Sequence, residues 1–93
     1  MEIQFENNNS KGAFFVEQDG ERLAEMTFSM AGEKLMIIDH TEVSDKLRGT
    51  GTGARLVATA VEHARKTGIK ILPLCPFAKS VFDKKPEYAD VLN

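Results

Sequence analysis

The stretch Val43-Ser44-Asp45-Lys46-Leu47-Arg48-Gly49-Thr50-Gly51-Thr52-Gly53-Ala54 decides how the chain is read. Its three glycines, Gly49, Gly51 and Gly53, alternate over five positions. With no Cβ in the way, successive backbone N–H groups can converge there on one point. Just downstream, Leu56, Val57, Ala60, Val61 and Ala64 recur at helical spacing, which predicts a helix over residues 54–67. Arg65 and Lys66 suit the negative end of that helix, and Gly68 stands where a left-handed cap is wanted. The positive end of the dipole then points into the glycine loop, as in sites that hold phosphate. From Lys46 through Val61 there are three basic residues, Lys46, Arg48 and Arg55, and no acidic one, although 14 of 93 residues are acidic. A locally positive field is expected.

Other phosphate loops fit less well. A Walker A loop needs Lys-Ser or Lys-Thr after its last glycine, and here Ala54-Arg55 follows. A dinucleotide fingerprint needs G-x-G-x-x-G near the start of the sheet, whereas this loop reads G-x-G-x-G after several strands. A flexible glycine loop with no ligand is the plain alternative.

Upstream of the loop, residues 2–5 and 12–18 read as short strands joined by Asn7-Asn8-Asn9-Ser10. Asp19-Gly20 is a two-residue turn signal that leads into a strand over residues 22–30, with Ala24, Met26, Phe28 and Met30 on one face. Ala31-Gly32-Glu33 turns the chain into residues 34–43. Strict alternation there puts Leu35, Ile37, Asp39, Thr41 and Val43 on one face and Met36, Ile38, His40 and Glu42 on the other. Downstream, the apolar run 69–75 suits a buried strand parallel to residues 34–43, reached through the crossover helix. Pro76 opens a short helix through about residue 84, and residues 86–92 form a last one. The fold class is therefore α+β, or mixed α/β: a four-stranded antiparallel meander, a crossover helix, a parallel fifth strand and short C-terminal helices, in one domain over residues 1–93.

Composition bounds the function. The 93 residues are 42% apolar and 28% charged, with 12 basic against 14 acidic residues and a net charge of −2, which argues against a nucleic-acid partner held by a basic surface. A single cysteine, Cys75, excludes an internal disulfide and a cysteine-cluster metal site, and His40 and His63 add little to a metal case. Residues 1–5 lack the build of a secretion signal, and no apolar run approaches the ~20 residues that span a bilayer. The expectation is a soluble cytoplasmic protein with no membrane partner, and at this size a monomer.

Arg48-x-x-Gly51-x-Gly53, between a strand ending at Val43 and an amphipathic helix, resembles the coenzyme A pyrophosphate loop, R/Q-x-x-G-x-G/A, of the GNAT superfamily of acyl-CoA N-acyltransferases. The whole chain is similar to a short bacterial subfamily of N-acetyltransferases. Asp39-His40-Thr41-Glu42-Val43 lies ahead of the loop and Cys75-Pro76-Phe77-Ala78-Lys79 behind the next strand. The resemblance implies a GNAT-like fold whose strands ending at Val43 and Cys75 splay apart, with acetyl-CoA as cosubstrate between them. It implies that Arg48, Gly49, Thr50, Gly51, Thr52, Gly53 and Ala54 hold the pyrophosphate through backbone N–H groups. The backbone of Thr41, Glu42 and Val43 would pair with the pantetheine arm and offer an N–H to the acetyl oxygen. It further implies acetyl transfer to a primary amine of a small molecule or a protein. The helices that follow the first strand in larger members are replaced here by the turn at Asn7–Ser10, so the acceptor site is expected to be shallow, open to a macromolecule, or completed by a partner.

Acetyl transfer requires a neutral amine, a polarised carbonyl and a proton for the leaving thiolate. His40 is the candidate base, since histidine titrates near neutral pH, although a lone histidine in an apolar strand is often a hydrogen-bonded core residue. Cys75, ahead of Pro76 and a predicted helix start, can protonate the leaving thiolate, carry the acetyl group, or simply be a buried small hydrophobe. Tyr88, the only tyrosine, resembles a late-chain general acid of the family at a different spacing, and packing explains it as well. Lys79, Lys84 and Lys85 can reach a nucleotide phosphate or form a solvated helix face. A non-catalytic acyl-CoA-binding module is the competing functional class.

Overall fold

Two tight turns set the first three strands. The computed structural model describes residues 2–93, Met1 lying outside the described residues. Strands β1 (Gln4–Asn8) and β2 (Lys11–Gln18) meet at Asn9-Ser10, and β2 and β3 (Glu21–Met30) meet at Asp19-Gly20. Asn9, Asp19 and Gly20 take φ of 60°, 52° and 78°, the left-handed backbone that asparagine, aspartate and glycine tolerate best. The first strand thus differs from the expected 2–5: Asn7 and Asn8 pair with Gly12 and Lys11 in the ladder, and only Asn9-Ser10 turns. Next come β4 (Leu35–Val43), helix α1 (Thr52–Thr67), β5 (Lys70–Pro73), helix α2 (Pro76–Lys84) and a 3₁₀ segment, Pro86–Val91. The sheet order is β1-β2-β3-β4-β5, antiparallel except for the parallel pair β4–β5. This is the expected meander, crossover helix and parallel fifth strand. No helix among the described residues is long and apolar enough to cross a membrane.

One face of the sheet carries the core. Phe14, Val16, Met26, Phe28, Met36 and Ile38 pack under Leu56, Val57, Ala60, Val61 and Ala64 of α1, together with Ala78, Val81 and Phe82 of α2. Leu56 has no exposed surface, so Leu56→Ala would cost on the order of 2–5 kcal/mol. Helix α1 ends at Gly68 (φ 72°), whose N–H returns to Ala64 O at 2.9 Å. The 3₁₀ segment is tied back by Arg65, which donates to both Asp90 carboxylate oxygens and to Glu87 O.

The alternation expected along β4 breaks at Asp39. Phe28 faces Ile38 but Thr27 faces His40, so Asp39 is an extra residue, a β-bulge. Beyond it Thr41 and Val43 oppose the core residues Met26 and Ala24. They therefore lie on the core face with Met36 and Ile38, not with Leu35 and Ile37 as strict alternation requires. His40 and Glu42 oppose Thr27 and Glu25 on the outer face.

Candidate functional site

Strand β5 is short, and its brevity opens the site. The last β4–β5 pair is Ile38↔Pro73, after which the N–H groups of Leu74 and Cys75 both donate to Ile38 O, at 3.1 and 3.2 Å. From Asp39 to Val43 strand β4 pairs only with β3, so its other edge faces a gap. Leu74 and Cys75 leave β5 in opposite senses. Cys75 is buried with its Sγ 3.4 Å from Thr41 Oγ1, whereas Leu74 is exposed and lines a trough on the outer face with Asp39 and His40.

Below the gap lies the glycine loop. Ser44 Oγ accepts from Lys46 N–H at 3.2 Å and starts a 3₁₀ turn, Asp45–Leu47, inside what reads in sequence as plain loop. Gly49 and Gly51 then take φ of 79° and 75° with open space where a Cβ would stand, so both are needed for backbone conformation. Thr50 Oγ1 donates to Leu47 O at 2.6 Å and lies 2.6 Å from Thr52 Oγ1, fixing the loop's shape. Gly51 caps α1 with no side-chain acceptor and no acidic residue follows in the first turn, which leaves the helix's positive end without a carboxylate. Gly53 has another role. A Cβ there would stand 2.6 Å from Phe77 Cζ, so its absence makes room for the Phe77 ring.

These parts enclose a cavity of about 460 Å3 lined by Thr41, Val43, Leu47, Arg48, Gly49, Gly51, Thr52, Gly53, Ala54 and Phe77. Eight of these are among the ten residues expected to meet the cofactor; Leu47 and Phe77 were missed in sequence. Phe77 had a signal, its place two residues after Cys75, but nothing local said which way its ring would turn. Of the other two expected residues, Thr50 braces the loop and Glu42 sends its side chain to the outer face, leaving only its backbone toward the gap. The positive field is weaker than the sequence suggests. Arg48 pairs with Asp45 at 2.6 Å and Lys46 with Glu21 at 2.9 Å.

Cys75 is the N-cap residue of α2. Burial raises its thiol pKa, but the hydrogen bond with Thr41, to whose Oγ1 Sγ donates, and those with the backbone N–H groups of Ala78 and Phe77 outweigh burial and hold it below the ordinary thiol value. His40 is exposed on the outer face and is not brought against Cys75. Tyr88 packs edge-on against Phe82, with centroids 5.9 Å apart, and under Arg65, away from the cavity. Lys79 pairs with Asp83 at 3.4 Å, while Lys84 and Lys85 lie at the exposed end of α2, where no contact to the cavity assigns them to a nucleotide.

A family model described as GCN5-related N-acetyl-transferase matches residues 13–91. The chain is similar to a GCN5-like candidate N-acetyltransferase of Staphylococcus aureus, at 36% identity over 97% of this chain and 87% of that one, with a TM-score of 0.73. It shares its fold with a ribosomal-protein-alanine N-acetyltransferase of Brucella melitensis (18% identity, 92% of this chain and 64% of that one, TM-score 0.64). The fold is also that of Tetrahymena GCN5 (17% identity, 84% and 51% covered, TM-score 0.65). No curated protein matches.

Proposed function

The chain belongs to the GCN5-related N-acetyltransferase family, and from that premise we propose that it binds acetyl-CoA in the gap between β4 and α2 and acetylates a primary amine. The observation that carries this reading is the parting of β4 from β5 after Ile38–Pro73, directly above a helix start with no carboxylate of its own. The residues present suit the cosubstrate. Gly49 and Gly51 give a loop whose amides can close on a pyrophosphate, and the unpaired edge of β4 supplies N–H and C=O groups at the spacing an amide-bearing arm requires. Acetyl-CoA supplies the thioester; the chain supplies position and protons.

In this reading Gly49 to Ala54 hold the diphosphate, and a backbone N–H of Thr41 to Val43 stabilises negative charge on the acetyl oxygen. The acceptor amine approaches from the outer face, and His40 takes its proton as the C–N bond forms and the C–S bond breaks. Cys75, with a thiol more acidic than an ordinary one, is placed to give its proton to the departing sulfur and regain it from solvent. The hydroxyl of Thr41, within reach of Cys75 Sγ, then donates to the thiolate.

Amide NMR titration with coenzyme A and then acetyl-CoA tests the reading. Saturable shifts centred on residues 48–54 and spreading to Cys75 are expected; no shift at millimolar ligand would reduce the likeness to fold alone. Mass spectrometry after incubation with acetyl-CoA separates the roles of Cys75. As a proton donor it stays unmodified, whereas one added acetyl lost in Cys75→Ala would make it the carrier.

A further inference from the structure

The outer face of the sheet carries a cavity larger than the one by the glycine loop, a trough of about 870 Å3. Registers place Glu6, Ala13, Thr27 and His40 in one row across β1 to β4, spanning three interstrand spacings, about 14 Å. The small side chains of Ala13 and Thr27 form its floor, and its β4 end reaches Leu74 at the gap where β4 and β5 part.

Charge is arranged at both ends. At the far end Glu6 and Glu25 share a single cation, Arg22, at 3.1 and 2.8 Å, so two carboxylates stand against one guanidinium. At the near end Asp39, displaced by the bulge, accepts from Ser29 Oγ at 2.7 Å, and among the described residues no ion-pair partner faces it. Among the described residues Lys11 is the one lysine or arginine lining the trough, and with His40 neutral and Arg22 counted as well the wall retains one net negative charge.

Resting on the acetyltransferase reading above, we infer that the acceptor is a linear polyamine lying across the strands in this trough. Its terminal amine passes His40 and Leu74 into the gap as the neutral nucleophile. An inner ammonium pairs with Asp39, the methylenes lie on Ala13 and Thr27, and the far ammonium meets the Glu6–Glu25 pair. A lysine side chain in a peptide carries one amine only, which must be neutral to react, and so would leave both acidic ends unmatched.

The test is an amide NMR titration of the labelled protein, saturated with coenzyme A, using spermidine as the probe. Saturable shifts are expected at Ala13, Thr27, Ser29 and His40. Affinity should fall at least tenfold in Asp39→Asn, which keeps the acceptor for Ser29, and in Glu6→Gln, but not in Glu33→Gln on the β3–β4 turn. Butylamine or an acetylated lysine-containing tripeptide binding there as tightly as spermidine would overturn the assignment. So would shifts spread evenly over exposed carboxylates, or equal losses in all three variants. Loop shifts with coenzyme A, read first, separate failure here from failure of the cosubstrate reading. If they are missing, spermidine added to the protein alone still reports on the trough.

Discussion

The two faces of this sheet recognise by different means. Beside α1 the surface is made of backbone: Gly49 and Gly51 in left-handed conformation, an unpaired strand edge, and a helix start with no capping side chain. On the outer face it is made of side chains from four strands, Glu6, Thr27, Asp39 and His40 among them, and no helix residue of the described chain lines it. Backbone recognition tolerates little variation in conformation but much in sequence, and side-chain recognition the reverse. The bulge at Asp39 joins the two, turning Thr41 toward the helix side and His40 away from it.

The contrast is most easily broken at Gly51. A Cβ there meets nothing within 4 Å, so Gly51→Glu should leave the fold standing, with about 1 kcal/mol lost to its φ of 75°, while its carboxylate enters the phosphate position. Coenzyme A affinity measured by calorimetry should drop more than 100-fold, whereas Gly51→Asn, which suits the left-handed region, should stay within several-fold of the parent. Equal losses in both would mean that conformation, not charge, governs the loop.

The next largest effect concerns the joint between the faces. Thr41→Val removes the hydroxyl that stabilises the Cys75 thiolate, so the thiol should titrate higher by ultraviolet absorbance and turnover near neutral pH should fall several-fold with KM unchanged. Thr41→Ser should restore both. A thiol that titrates alike in all three would make the Thr41 contact packing only.

These differences also explain what was legible in the sequence. The glycine loop, α1 and the meander could be read because each rests on local rules: turn residues at Asp19-Gly20, apolar spacing from Leu56 to Ala64, and proline at the start of α2. The faces of β4 could not, since a bulge arises from the register with β3 and leaves no mark in residues 34–43 themselves. Gly53 was read as one of three glycines serving a phosphate, yet its backbone is helical, and the reason for glycine there is a ring 24 positions later. The trough was equally hidden, because its row of residues is consecutive only across strands.

Gly53 offers a smaller but sharper test of that distinction. Alanine favours a helix over glycine by about 1 kcal/mol, but in this protein its methyl would displace the Phe77 ring from the cavity wall. Gly53→Ala alone should therefore gain little stability and weaken coenzyme A binding several-fold. In a Phe77→Leu background the same change should stabilise by about 1 kcal/mol and leave affinity unaltered, a coupling that a double-mutant cycle by urea denaturation and calorimetry would measure. Additive effects would mean that the Phe77 ring is not what requires glycine at position 53.

The smallest effect tests how the helix side holds the edge strand. Helix α1 meets β1 through His63, whose ring lies 4.9 Å from Phe5 and 5.8 Å from Phe14. Burial, aided by Lys66, lowers the His63 pKa, so the folded protein favours the neutral ring. The unfolded chain takes up this proton first as pH falls through about 6.5. Stability is then fully present above that pH and declines below it until the folded form also protonates. Glu6 and Asp90, both lowered by arginine partners, lose their contributions only in the carboxylate range further down. Thermal melts should show Tm falling between pH 7.5 and 5.5, and His63→Gln, lower in Tm throughout, should lose most of that slope. If the slope survives in the variant, the acid sensitivity belongs elsewhere and the Phe5–His63 contact is not what clamps β1 to the helix.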